Sequence, residues 1–244
     1  VSDVVNSSPT PDNAGSRNVA SLFAELQLPV LENVDVQAAI RHERFSDVGN
    51  TTVGKLAFGW EIIPQLLMRG SWSEAFRAPN LVTINEEIVA RNNTRTDWAC
   101  TYAAENGGDP NQNTLDCNNS IQRIAQGSQD LAPETSENKS LGFVFTPVNN
   151  LTITLDYWSI VKEDTIGLFG EENHTLLDLL ARLDNTGAGC TGNPAVTRQA
   201  VGDDEAAIYT AAGMCPAGDI QFIDDQYANL DTRTVEGFDV GFFF

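Results

Sequence analysis

The chain has 244 residues, 41% hydrophobic and 20% charged, which is enough apolar material for a packed structure and excludes a disordered polymer. Its 34 Asp+Glu against 14 Lys+Arg give a net charge of -20, which excludes a binder built to neutralise nucleic-acid phosphates. No run reaches the ~18 apolar residues of a membrane helix, and the N-terminal VSDVVNSSPTPDNAGSRN lacks the basic and apolar regions of an export signal.

From Ala20 to Leu28, Ala20, Leu22, Ala24, Leu26 and Leu28 alternate with Ser21, Phe23, Glu25 and Gln27, the period of a strand. After a turn at 29–33, Val34, Val36, Ala38 and Ile40 alternate with Asp35, Gln37, Ala39 and Arg41. The pattern returns with Leu56, Phe58, Trp60 and Ile62, and past Pro64 with Leu66, Met68, Gly70 and Trp72 opposite Leu67, Arg69, Ser71 and Ser73. Beyond a long polar interval come KSLGFVFTP and LTITLDYWSIV, and the chain ends on VEGFDVGFFF. Strands are thus expected near 18–28, 34–45, 53–62, 66–77, 138–147, 151–162 and 234–244, with large loops at 78–137 and 163–233. Within the second loop, helical pieces are expected near 175–183 and 204–212.

The connections run short (29–33), modest (46–52), short (63–65), very long (78–137), short (147–150) and very long (163–233). Every second connection is a tight turn, so the elaborate loops share one end, as in outer-membrane barrels. Strands of about 10 to 12 residues match the length a tilted spanning strand needs. The charge follows the same division: residues 79–137 carry nine acids against three bases, and 163–233 thirteen against three. Cys100 and Cys117 lie in the first loop, Cys190 and Cys215 in the second. Four cysteines allow three pairings, and the two loop-local pairs are those expected, in an oxidising compartment.

Ser71 to Leu81, SWSEAFRAPNL, resembles the strand end of TonB-dependent outer-membrane receptors. Leu131 to Asn138, followed by Gly142-Phe143 and Leu155-Asp156-Tyr157-Trp158-Ser159-Ile160, is similar to a second block of that family, and Thr234 to Asp239 to a third. The motif residues are Phe76, Arg77, Ala78, Pro79, Pro133, Glu134, Asn138, Asp156, Tyr157 and Trp158. The resemblance implies an all-β, antiparallel transmembrane β-barrel of about 22 strands, plugged by an N-terminal domain. This chain would supply about seven strands and two long, partly helical extracellular loops. The implied setting is the outer membrane of a Gram-negative bacterium, among lipid and lipopolysaccharide. A scarce small-molecule nutrient (ferric chelate, cobalamin or oligosaccharide) would be imported with energy from a TonB-type protein acting through the plug. No plug and no motif for that protein occur in these residues, so both ends are expected to be cuts in a longer gene product. The alternative is a secreted, disulfide-bonded β-rich binding module or adhesin.

Proline removes a ladder donor, so Phe76-Arg77-Ala78-Pro79 reads as a strand end, with Arg77 facing the lumen and paired to a carboxylate. Glu134 is read as shaping the descent from loop to strand, and Asp156 as a polar lumen residue. Trp98, Tyr102, Phe222 and Tyr227 are the ligand-contact candidates, because aromatic faces stack on sugars and aromatic chelators. Packing within the loop is the competing reading for all four. The acids Asp203-Asp204-Glu205 and Asp224-Asp225 lack the spacing of a calcium loop and read as a solvated face. His42 and His174 accompany no nucleophile signature, so no catalytic residue, metal or cofactor is expected. Acidic loops disfavour a highly anionic ligand unless a few Arg residues reverse the field locally.

Overall fold

The computed structural model describes residues 13–108, 115–187 and 189–244; up to residue 12, the stretch read for an export signal lies outside them. Strand alternation produces β1 (Val19–Leu31), β2 (Val34–Phe45), β3 (Gly49–Ile63) and β4 (Leu66–Arg77). A first excursion holds α1 (Leu81–Asn85), β5 (Val89–Thr96), α2 (Trp98–Asn106) and β6 (Asn118–Ala125). The hairpin β7 (Glu134–Val148) and β8 (Leu151–Glu163) follows. A second excursion carries β9 (Thr165–Leu168), α3 (Glu171–Asp184), β10 (Val196–Arg198), α4 (Asp203–Ala211), β11 (Ile220–Asp224) and β12 (Tyr227–Leu230), before β13 (Arg233–Phe243).

The seven long strands form one antiparallel sheet in the order β1-β2-β3-β4-β7-β8-β13, each 11 to 15 residues long. β1-β2, β3-β4 and β7-β8 are joined by two-residue turns at 32–33, 64–65 and 149–150. The β2-β3 connection, expected to be modest, is only residues 46–48, and β3 opens on Gly49 at φ +84, a conformation that only glycine adopts without strain. Two expected breaks are also absent. β1 runs through Pro29, which is tolerated because β1 is an edge strand among the described residues and shifts register there. β7 runs through Pro147 at a second register shift.

The excursions, expected to be long and partly helical loops, carry a sheet of their own in the order β10-β11-β6-β5. β6 of the first excursion pairs in parallel with β11 of the second. Helix α2 lies in the first loop, where no helix was placed by residue; Asp97 caps it, accepting from the Ala99 and Cys100 N–H groups at 3.1 and 3.2 Å. Two compact units result. One comprises Gly15–Leu81, Asp130–Ile166 and Asn229–Phe244, and the other is built mainly of Val82–Gln129 and Gly167–Ala228. The second has the buried apolar clusters, one of Ala99, Ala103, Leu179, Tyr209, Met214 and Ala217, the other of Ile121, Val196 and Ile223.

Candidate functional site

Register decides what each face of the long sheet presents. Leu28, Val36, Phe58, Gly70, Leu141, Tyr157 and Phe238 are successive partners across all seven strands. This apolar row is one residue from the row Gln27, Gln37, Ala57, Ser71, Ser140, Trp158 and Gly237, on the opposite face. The apolar face is open: Leu22, Phe238 and Phe242 are 75%, 71% and 71% exposed. A sandwich interior would cover such side chains, whereas lipid would meet them. Towards the end bearing the long excursions this face turns polar. Trp72 Nε1 donates to Glu137 at 2.9 Å and Tyr157 OH to Glu236 at 3.0 Å, placing aromatic rings with a polar handle at the edge of the band.

On the polar face, charged groups answer one another across strands. Arg69 of β4 donates to both oxygens of Asp156 of β8, the closest approaches being 2.8 Å. Gly142 of β7 lies between them in register, and a Cβ there would overlap the Asp156 carboxylate. Gln37 pairs with Glu25 across β1 and β2, whereas Arg41 pairs with Glu43 along β2 itself. Ser71 and Ser140 share a hydrogen bond of 2.8 Å, and Trp158 Nε1 donates to Asp239 at 3.0 Å. Arg77 pairs with the buried Glu134 at 2.5 Å, and Glu134 also accepts the Ile166 N–H at 2.7 Å. Around this pair, Phe76 meets Phe45 edge to face at 5.8 Å, Pro79 is fully buried, and Asn138 donates to the Ser73 carbonyl at 3.4 Å. Pro133 and Ala78 flank the pair in the chain. Arg69 as the partner of Asp156 escaped the sequence reading, although assigning both residues to polar faces was the signal for it.

In the unit of the excursions, Cys100 is bonded to Cys117 and Cys190 to Cys215. A buried cluster joins α2, α3 and β10. Arg198 donates to Asp97 at 2.5 and 2.8 Å and to Asp178 at 2.9 Å, and Arg182 donates to Asp178 at 2.9 Å. Burial opposes the Arg198 charge, but Asp97 and Asp178 outweigh it and hold its proton more tightly than usual. Burial, reinforced by the Asp97 charge, pushes the neighbouring Tyr209 hydroxyl up. Two Asp and two Arg cancel, so the cluster is structural. Trp98 and Tyr102 pack against the apolar cluster of α2, α3 and α4, and Phe222 and Tyr227 are half-buried on β11 and β12. The four aromatic candidates therefore stand on three separate elements.

The acids divide in a way their sequence did not announce. Asp203, Asp204 and Glu205 are exposed in the first turn of α4, where the helix dipole favours negative charge. Asp225, read as solvated, is fully buried: it accepts from the Gly170 N–H at 3.0 Å and lies 3.2 Å from His174 Nε2. Glu171, in the first turn of α3, accepts from Asn93 at 2.7 Å, with Arg95 at 3.5 Å and Arg123 at 3.7 Å. His42 lies 2.8 Å from the Thr52 hydroxyl. Among the described residues no group of three or more His, Cys, Asp or Glu side chains is arranged to hold a metal ion.

Residues 1–243 match the family model described as TonB dependent receptor-like, beta-barrel. No curated protein matches. Among solved structures, the siderophore receptor PirA from Acinetobacter baumannii superposes with a TM-score of 0.58 at 17% identity, over 93% of this chain and 25% of that one. A mutant of the ferric enterobactin receptor PfeA from Pseudomonas aeruginosa gives 0.57 at 18%, over 92% and 24%. The Serratia marcescens hemophore receptor HasR, solved as a double mutant with its hemophore HasA and heme, gives 0.50 at 13%, over 93% and 31%. The chain thus spans about a quarter of the length of the first two receptors, and at these identities the likeness is one of fold.

Proposed function

Since the chain belongs to the TonB-dependent receptor β-barrel family, we propose that it forms one sector of the wall of an outer-membrane receptor that binds and imports a scarce nutrient. The observation that carries the reading is the division of the seven-stranded sheet into an open apolar face and a polar face closed by pairs such as Arg69 with Asp156. A wall between hydrocarbon and a watery lumen requires that division in every strand. Both outer strands, β1 and β13, have one unpaired edge among the described residues, and lipid tolerates no open edge, so further strands complete the barrel. A plug domain in the lumen and a TonB-type protein acting through it are part of the proposal, as are outer-membrane lipid and lipopolysaccharide around the wall.

For the nutrient, a ferric chelate is favoured over cobalamin or an oligosaccharide. The support is that similar folds occur in proteins described as receptors for a siderophore, ferric enterobactin and a hemophore. The test deletes the gene in its own host and measures uptake of radioactive iron supplied as chelates of different charge. Loss of uptake that returns with the intact gene, together with recovery of the product in detergent-extracted outer membranes, supports the reading. Unchanged uptake of every chelate removes the ferric branch, and a product found in the soluble fraction removes the receptor itself.

A further inference from the structure

Helix α3 buries its polar side and exposes much of its apolar one. Glu171, Thr175, Asp178 and Arg182 are buried alongside Leu179, whereas Leu176, Leu177 and Leu180 are 43%, 45% and 53% exposed. Surface helices ordinarily do the reverse. Residues four apart stack into a ridge on a helix, and Glu172, Leu176, Leu180 and Asp184 form one such ridge, exposed along its whole length with Leu177 beside it. The ridge is apolar in the middle and acidic at both ends, its two acids separated by about 18 Å of helix. Arg182 and Arg198 hold Asp178 from the buried side and Asn93 holds Glu171, so α3 is not free to roll and cover its leucines.

The charge around the ridge has one sign. Between residues 167 and 228 the sequence has ten acids and two bases, Arg182 and Arg198. Both arginines have buried side chains engaged with Asp97 and Asp178. Glu172, Asp184, Asp203, Asp204, Glu205 and Asp219 are exposed, so the open ionic surface of this stretch is wholly acidic. Asp184 is also set against its own helix. It is the last residue of α3, where the dipole favours a cation, and no Lys, Arg or His lies within ion-pair distance of it among the described residues. The uncovered leucines and the uncompensated Asp184 thus call for the same thing, an apolar contact with positive ends.

We propose that the Glu172-Leu176-Leu180-Asp184 ridge, with Leu177, docks an apolar segment bracketed by Lys or Arg and carried on another excursion of the same gene product, an inference that rests on the chain being one sector of a receptor barrel. Charge complementarity sets the chemistry of the occupant. Cations about 18 Å apart answer Glu172 and Asp184 and bring apolar side chains over the leucines between them, whereas an anionic lipid surface would meet only carboxylates. The length of the polypeptide sets its source. The chain spans about a quarter of two receptors of similar fold, and the long connections of such barrels share one end, so most excursions of the complete barrel lie outside these residues. A segment tethered on the same polypeptide is present at an effective concentration on the order of millimolar, so a ridge of three leucines and two acids is enough to hold it.

The test uses the intact gene product in its own outer membranes, with the photo-reactive p-benzoylphenylalanine in place of Leu177. Illumination followed by peptide mapping is expected to link that position to a Lys- or Arg-bearing segment of the same polypeptide outside residues 1–244. Asp184→Lys, which suits the C-terminal end of a helix and so leaves α3 folded, is expected to lower the cross-linked yield about threefold or more. Replacing a Lys or Arg of the captured segment by Glu should restore the yield in the Asp184→Lys background. A cross-link confined to residues 1–244, or made to a separate protein or to lipid, overturns the inference, as does an Asp184→Lys yield equal to the parent's. Absence of any cross-link, with the product recovered in detergent-extracted outer membranes, overturns the inference and leaves the receptor reading standing. A product recovered in the soluble fraction removes that reading and the inference with it.

Discussion

Arg69 and Asp156 stand on strands that do not pair with each other, yet their side chains are bonded over Gly142 of the strand between them. The missing side chain is what lets the pair close. With Arg69 52% and Asp156 23% exposed, a double-mutant cycle of Arg69→Ala and Asp156→Ala should give a coupling of about 0.5 to 1 kcal/mol. Gly142→Ala should cost about 1 to 3 kcal/mol in the parent and clearly less in the Asp156→Ala background. Urea unfolding of the detergent-solubilised barrel reads all of these.

The two faces of the sheet should respond differently to charge. Arg substituted for Leu56, Phe58 or Ile153, on the apolar face, is expected to cost about 2 to 4 kcal/mol if the site meets mid-bilayer hydrocarbon. At Ala57 or Thr154, on the polar face, the cost should be far smaller. Equal losses on both faces, measured by folding into vesicles, would contradict a lipid-facing row.

Removing Arg198 should be severe. Its charge is shared by the buried carboxylates of Asp97 and Asp178, and Arg198→Ala would leave Asp97 without a guanidinium partner and Asp178 with Arg182 alone, at a cost of about 3 to 5 kcal/mol. Protease resistance of the excursion segments, compared in parent and variant, measures it. Intact resistance would mean the cluster holds little of that unit together.

Reduction should loosen the same segments. Each cystine closes a short interval, 17 and 25 residues apart in sequence, and is worth about 3 kcal/mol in the chain-entropy model. Peptide mapping without reductant should recover both linked pairs, and dithiothreitol should make 82–129 and 167–228 protease-sensitive before the long strands.

Acid should act on Asp225. Burial raises its carboxyl, but the hydrogen bonds of His174 and the Gly170 N–H, with the charges of His174 and Arg123, outweigh burial and hold it below the ordinary 3.8. A lowered carboxyl contributes stability that is complete above the unfolded value and is lost as pH falls through the folded one. The excursion unit should therefore keep its near-ultraviolet circular dichroism down to about pH 4 and lose it below. Asp225→Asn should start less stable at neutral pH and show a flatter acid limb. A parent and variant with the same acid profile would assign the loss to other groups.

The long strands were legible because each has an open apolar face, so alternation in Leu22 to Leu28 or Val34 to Ile40 survives undiluted in the sequence. The sheet of the excursions was not. β5 reads VARNNTRT, with arginine and asparagine where an amphipathic strand would put its apolar face, and its pairing with β6 spans a long interval. Asp97 ahead of Trp98 was a readable helix cap, lost in a polar stretch. The Arg77-Glu134 pair was half legible, since a carboxylate was expected for Arg77 without being named. Arg91 facing Arg123 required the register itself, as did the burial of Asp225, whose neighbour Asp224 looks identical in sequence but stays half-buried.

The parallel contact of β6 with β11 ties together two pieces of chain that enter and leave the long sheet separately. Neither cystine crosses between them, so a protease that nicks one excursion outside its own cystine loop, 100–117 or 190–215, would create two fragments with no covalent tether. Such a nicked molecule should nevertheless stay whole on a sizing column until denatured. The same ladder means that an epitope tag or a genetic insertion placed in one excursion will be felt in the other, and tags are better carried in the β2-β3 turn at 46–48.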